Sequence, residues 1–198
     1  GGSLTALPIV VPQRGNVSAY IPTNLISICD RQIVLDADLF NRGIKPAVDV
    51  GQSVSRVGGE AQSDAMQEVA GELRLELSQY EEVRRFARFG AEVDQATRRQ
   101  IEHGRRLRAA LKQPVHQPLS LSSQIVTLLA ATEGVVDQLP VEDVPSFERE
   151  LLDLVQKREP ELLQKLNRTG ELSSETRETL MAVIHNHAAK WSERRAEA

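Results

Sequence analysis

"GQSVSRVGGEAQSDAMQEVAGELRLELSQY", residues 51–80, changes texture at its middle. Up to Gly59 it is a short run with β-branched residues that ends in a glycine pair. From Ala61 the apolar residues Met66, Val69, Ala70, Leu73, Leu77 and Tyr80 recur at spacings of three, four and seven. Side chains three and four apart share one face of a helix, so the second half reads as helical and the first as extended. The stretch divides the chain into residues 1–60 and residues 61–198.

Upstream, short apolar runs alternate with turn residues: "SLTALPIVV" (3–11), "PQRGN" (12–16), "VSAYIPTNLISI" (17–28), "CDRQ" (29–32) and "IVLDADLF" (33–40). Gly, Pro, Asn and Asp punctuate every interval, and β-branched residues are frequent. This predicts a strand, a short helix near 22–27, a second strand at 31–36 and a last short strand at 52–57. Such a sheet is too small to close on itself and is expected to complete a larger α/β domain. The opening "GGSLTALPIVV", without an initiator Met, reads as the interior of a longer chain.

Downstream, helices are predicted near 91–113, 120–133, 146–158, 160–168 and 174–192. Pro114, Pro118, Pro140, Pro145 and Gly170 mark the breaks. Pro160 suits a first helical turn, where its missing N–H costs little. Ser173 or Ser174 can cap the last helix, with Glu175 in its first turn. The fold class is therefore α+β: a partial mixed-sheet segment followed by an all-α helical bundle of about six segments. The closing "SERRAEA" (192–198) reads as frayed and solvated.

Composition narrows the function. The 198 residues are 40% hydrophobic and 26% charged but only 4% aromatic, so the core must be built from Leu, Val, Ile and Ala. A net charge of −4 argues against nucleic-acid binding, which needs clustered positive charge. The single cysteine, Cys29, cannot form an internal disulfide and points to a reducing compartment. No apolar run approaches the ~20 residues that span a bilayer, and there is no secretory signal.

Motifs of self-contained catalysis are missing. There is no G-x-x-x-x-G-K-[ST] phosphate loop, no G-x-G-x-x-G turn and no zinc-protease spacing. His185 and His187 sit two apart, which on a helix aims them at different faces; a surface pair is expected, and no metal. Cys29 reads as a small buried hydrophobe. In "RRQIEHGRRLR" (98–108) Arg98 and Arg105 share one face and Arg99 and Arg106 another, a solvated surface with Glu102 as counter-charge. The stripe 66–80 reads as core or partner packing. Arg56 stands apart: it follows Ser53 and Ser55 and precedes Gly58 and Gly59. On an extended strand the serines point one way and Arg56 the other. By spacing alone it is an ordinary exposed arginine or a tool aimed at an anion.

Longer stretches carry a resemblance. "GGSLTALPI" (1–9), "VSAYIPTNLISICD" (17–30), "DLFNRGIKPAVDVGQSVSRVGG" (38–59), "FARFG" (86–90) and "LKQP" (111–114) together resemble the α subunit of F-type rotary ATP synthases. "PAVDVGQSVS" (46–55) fits a signature common to α and β subunits, while "SRVGG" and "VSAYIPTN" favour α. "FARFG" with "IEHGRRLRAALKQP" is closer to the alternate, sodium-translocating bacterial branch. The likeness is strongest over residues 1–118 and continues through the helices as pattern.

The resemblance implies a C-terminal fragment of a non-catalytic, regulatory subunit. Residues 1–60 would be the end of its nucleotide-binding α/β domain and residues 61–198 its helical bundle. Partners would be β subunits in an alternating α/β hexamer and the central-stalk γ subunit. The location would be the cytoplasmic face of a bacterial inner membrane, peripheral and without insertion. Arg56 would reach across to a β catalytic site holding ATP or ADP with Mg2+. Ser27 matches a serine near that phosphate site, although Cys29 and Arg31 stand where the family has Thr and Gly. Ser53 matches a serine needed for activity and would orient Arg56. A separate, non-exchanging adenine site would use Phe40, Lys45, Pro46 and Gln113. Lys45 replaces the family's arginine, Val115 a glutamine and His116 a tyrosine. Lysine lacks the planar fork, so weak or absent nucleotide retention is expected and none tightly held by the chain alone. The competing reading is a helical interaction module in which Arg56 is purely structural.

Overall fold

The computed structural model describes residues 1–2, 4–71, 73–88 and 94–196. The end of "FARFG" at Phe89 and Gly90, the expected helix start at 91–93 and the last two residues of "SERRAEA" lie outside them. The elements run α1 (Tyr20–Ile28), β1 (Arg31–Gln32), α2 (Ala37–Asn41), β2 (Val54–Ser55), α3 (Gly58–Ala61), α4 (Asp64–Ala70), α5 (Leu73–Arg88), α6 (Gln95–Ala110), α7 (Leu121–Thr132), α8 (Val144–Arg158), α9 (Pro160–Thr169) and α10 (Ser174–Ala196). Short 3-10 turns occupy Gln13–Gly15, Val135–Gln138 and Val141–Asp143.

The helical half follows its local chemistry. Ser63, Asp94, Ser120 and Ser173 accept hydrogen bonds from the amides of Met66, Thr97, Ser123 and Thr176, satisfying donors that a helix start leaves orphaned. Pro160 opens α9 as expected, and Gly170 ends it at φ +68° in the left-handed region. A Cβ on Gly170 would lie 2.8 Å from Ser63 Cβ. The Gly170 carbonyl also accepts from Ala65 N at 2.9 Å, which ties the end of α9 to the start of α4.

From Ile125 to Ala131 every residue of α7 is buried. A helix apolar all round must be covered all round, and α4, α6, α8, α9 and α10 all pack on it. Phe147, Leu151 and Val155 of α8, Leu163 and Leu166 of α9, and Leu180 and Ile184 of α10 supply the cover. Each such side chain contributes about 1.5–3 kcal/mol on burial. Helix α5 packs on fewer elements. It packs on α6 and lightly on α4, through Leu77 and Tyr80. Gly104 makes that close approach possible, because a Cβ there would overlap the Tyr80 ring.

The sheet half departs from expectation. Residues 1–12 hold no strand among the described residues, and Leu4, Leu7, Ile9 and Val11 are exposed, because extended chain becomes a strand only against a neighbour. The strands expected at 31–36 and 52–57 shrink to Arg31–Gln32 and Val54–Ser55, paired antiparallel with Arg31 opposite Ser55; a lone bridge joins Leu35 and Val48. The helix near 22–27 extends to Tyr20–Ile28. Two short helices, α2 and α3, were not expected; Asp36 caps the first through Leu39 N. Among the described residues the bundle has one more helix than the six expected, because the 66–80 stripe falls on both α4 and α5.

Some polar side chains are also placed differently. His187 is not on the surface: it is 6% exposed. Its ring stacks on Phe147 at 4.8 Å between centroids, near Trp191, and burial lowers its basicity. His185 remains exposed. Cys29 is half-buried rather than buried. Arg105 and Arg106 do pair with Glu102, but Arg106 also donates to Leu139 O at 2.6 Å. Arg108, at the end of that basic run, is buried against Glu81. The tail does not fray at Ser192. Helix α10 continues to Ala196, with Arg194 paired to Glu150 at 2.8 Å and Arg195 to Asp143.

Glu148 on α8 is 8% exposed, and its Oε1 has no hydrogen-bond partner among the described residues. Burial pushes its carboxyl up to about 8. In the unfolded chain a glutamate titrates at ~4.3. Between these values the folded state holds a proton that the unfolded state releases, so stability falls as pH rises. Glu148→Gln should remove that loss. Urea unfolding at about pH 5 and about pH 8 should show wild type losing roughly 3–4 kcal/mol more than the variant; equal losses would refute the assignment.

Candidate functional site

Two clusters gather the residues singled out in the sequence. The first is built on the β1–β2 ribbon. The turn "DVGQS" (49–53) winds around Asp49, whose carboxylate accepts from Gln52 N at 3.0 Å and from Gln52 Nε2 at 2.7 Å. Burial raises this carboxyl, but the Gln52 and Gly51 hydrogen bonds, with Arg108 nearby, outweigh it and hold it below the usual carboxylate value. Ser53 closes the turn. Its Oγ donates to Asp49 O at 2.6 Å and accepts from Val34 N at 3.0 Å. One hydroxyl thereby joins the turn to the segment that follows β1.

Arg56 follows directly. Its amide donates to Asp30 O at 3.1 Å, so its backbone is fixed to the residue before β1. Its side chain is exposed and belongs to none of the ion pairs among the described residues. Ser27 lies in the last turn of α1, three residues before Asp30, exposed, with its hydroxyl donating to Asn24 O at 2.7 Å. Ser53 and Arg56 flank β2 and so lie at opposite ends of the short antiparallel pair: Ser53 is held at the Val34 end and Arg56 at the Asp30 end, which is the end that follows α1 and Ser27.

The second cluster joins Phe40, Lys45, Pro46 and Gln113. Lys45 Nζ stands 4.6 Å from the centroid of the exposed Phe40 ring, a cation–π distance. The Lys45–Pro46 peptide is cis. Gln113 comes from far along the chain, just beyond α6: its amide donates to Lys45 O at 2.9 Å and its Nε2 to Gln117 O at 2.8 Å. Val115 is exposed and His116 has φ 61°. The Phe40 face and the Lys45 cation are therefore adjacent, whereas Gln113 meets Lys45 through its backbone amide and turns its carboxamide to Gln117 O.

The sequence reading missed the residues that hold these groups. Asp49 and Asp30 act through a turn and a carbonyl, and Gln117 through its backbone oxygen. The Asp three residues before Gln in "DVGQ" is a turn signature that could have identified the first; no residue pattern marks a carbonyl acceptor.

Ser53→Ala should leave Val34 N and Asp49 O without their shared partner, at about 1–3 kcal/mol. Unfolding of the variant should shift by that amount, with faster amide exchange at Val34 and Arg56; unchanged exchange at Arg56 would show that the ribbon is held otherwise.

Residues 62–187 match the family model described as the C-terminal domain of the ATP synthase alpha/beta chain. Residues 1–55 match the nucleotide-binding domain model of the ATP synthase alpha/beta family. Among curated relatives, ATP synthase subunit alpha of Mycobacterium marinum is 50% identical over 190 residues, covering 96% of this chain and 34% of its own length. That of Pediococcus pentosaceus is 51% identical over 172 residues, covering 87% and 34%. That of Mycobacterium tuberculosis is 50% identical over 186 residues, covering 94% and 34%. The chain therefore spans about a third of the length of these relatives. A domain model over most of the chain and half-identical relatives of one kind place it in the F-type ATP synthase α-subunit family.

Proposed function

We propose that this chain works as part of the non-catalytic α subunit of a rotary ATP synthase and lends Arg56 to the catalytic nucleotide site of a neighbouring β subunit. The observation that carries this is the state of Arg56: backbone fixed, guanidinium exposed, and no carboxylate paired with it among the described residues. A planar guanidinium can meet two phosphate oxygens at once and stabilise charge on a transferring phosphoryl group. Ser53 is the positioning residue, because its two hydrogen bonds set the strand that carries Arg56. Ser27 would border the same phosphate.

Residues 1–60 would belong to a nucleotide-binding domain whose other strands cover Leu4, Leu7, Ile9 and Val11, and residues 61–198 would be its helical domain, facing the central γ stalk. The assembly would bind ATP or ADP with Mg2+ and lie at the cytoplasmic face of a bacterial inner membrane. No described helix is long and apolar enough to cross a bilayer. Phe40, Lys45, Pro46 and Gln113 would form the adenine end of a separate, weak nucleotide site.

Two experiments test this. In the assembled complex, Arg56→Ala should leave subunit composition intact and lower multisite ATP turnover by ~10³-fold or more; failure to assemble, or near-normal turnover, would overturn the proposal. The purified complex, gel-filtered free of loose ligand, should carry little or no nucleotide on α. Stoichiometric nucleotide retained there would refute the weak site.

A further inference from the structure

The packing of α5 on α6 includes a histidine placed between two carboxylates. His103, on α6, is gripped from two sides by other elements. Its Nδ1 lies 2.8 Å from Asp137 Oδ2 and 2.9 Å from Oδ1, on the Val135–Gln138 turn. Its Nε2 lies 3.7 Å from Glu76 Oε2 on α5. That Glu76 oxygen is shielded from solvent and makes no hydrogen bond among the described residues, so the imidazole is the partner it faces. On α6 itself Arg106 is committed to Glu102 and to Leu139 O, and Arg105 to Glu102. The neighbouring α5–α6 contact, Gln100 with Gln79, is neutral. Further along α5, Arg108 and Arg84 both pair with Glu81, a second clamp that contains no histidine.

We propose that His103 is a pH-labile clamp: as an imidazolium it binds α5 and the Val135–Gln138 turn onto α6, and when it loses its proton α5 loosens. Two carboxylates on one ring need a positive charge between them. The neutral ring can donate to Asp137 or to Glu76, not to both. The Asp137 hydrogen bond raises the basicity of His103 most; partial burial opposes it, and the charges of Asp137 and Glu76 add to the rise. A histidine raised in the folded state contributes its full stabilisation below the unfolded value of ~6.5 and loses it as pH climbs through the folded value. The clamp is therefore closed in mild acid and opens toward alkaline pH. This stands apart from the roles proposed for Arg56 and the Phe40 cluster.

Amide hydrogen exchange on the full chain, corrected for intrinsic rates, tests it at about pH 6 and about pH 8.5. In a Glu148→Gln background, which removes the pH dependence of the α8 reference, protection along α5 relative to α8 should fall roughly two- to fivefold at the higher pH, as expected for partly exposed ion pairs. His103→Gln should remove that dependence and leave α5 at its high-pH level throughout. Equal relative α5 protection at both values in the Glu148→Gln background, or the same dependence once His103→Gln is added to it, would overturn the proposal. Should the variant fail to fold, the wild-type ring titration followed by NMR decides: a value at or below that of free histidine overturns the clamp, and a raised one that drops in Glu76→Gln supports it.

Discussion

Helix α7 has no exposed residue between Ile125 and Ala131, and the arrangement of the bundle follows from covering it. Five helices meet it, each with one apolar face. A segment without a polar side cannot lie at a surface without exposing hydrocarbon, so its neighbours have little choice of orientation. Close packing then fixes spacing: Gly170 lets α9 meet the start of α4, and Gly104 lets α6 meet Tyr80.

The polar groups that reach this interior are arranged unequally. Arg108 is buried but paired with Glu81, which offsets part of the cost of its desolvation. His187 stacks on Phe147 and gives up basicity. Glu148 has no partner and holds its proton instead, the cheaper solution for an isolated buried carboxyl. These three side chains tie charge state to packing.

The bundle also reaches the candidate site. Helix α6 lies against α7, and just past its end Gln113 donates to Lys45 O. Val50, within the turn that carries Ser53, packs on the hydrophobic core. The Phe40 cluster and the Arg56 ribbon are therefore both anchored to the helical half, one by a hydrogen bond and one by an apolar contact.

The sequence by itself determined the helical half. The three-four spacing from Met66, the prolines and the capping serines are local signals, and the helices began and ended close to them. It also singled out Ser53 and Arg56, because long motifs around them carry the family likeness. The strands were legible only in part, since a β-ladder is made by its partner: "SLTALPIVV" has the composition of a strand and no strand to meet among the described residues. The fate of individual polar residues was hidden for a related reason. His185 and His187 differ by two positions in sequence, yet only the second meets Phe147; Arg105 and Arg108 belong to one basic run, yet only the second is buried. Periodicity sets which way a side chain leaves its helix. What waits there, whether water, a ring or a carboxylate, is decided only when the helices pack.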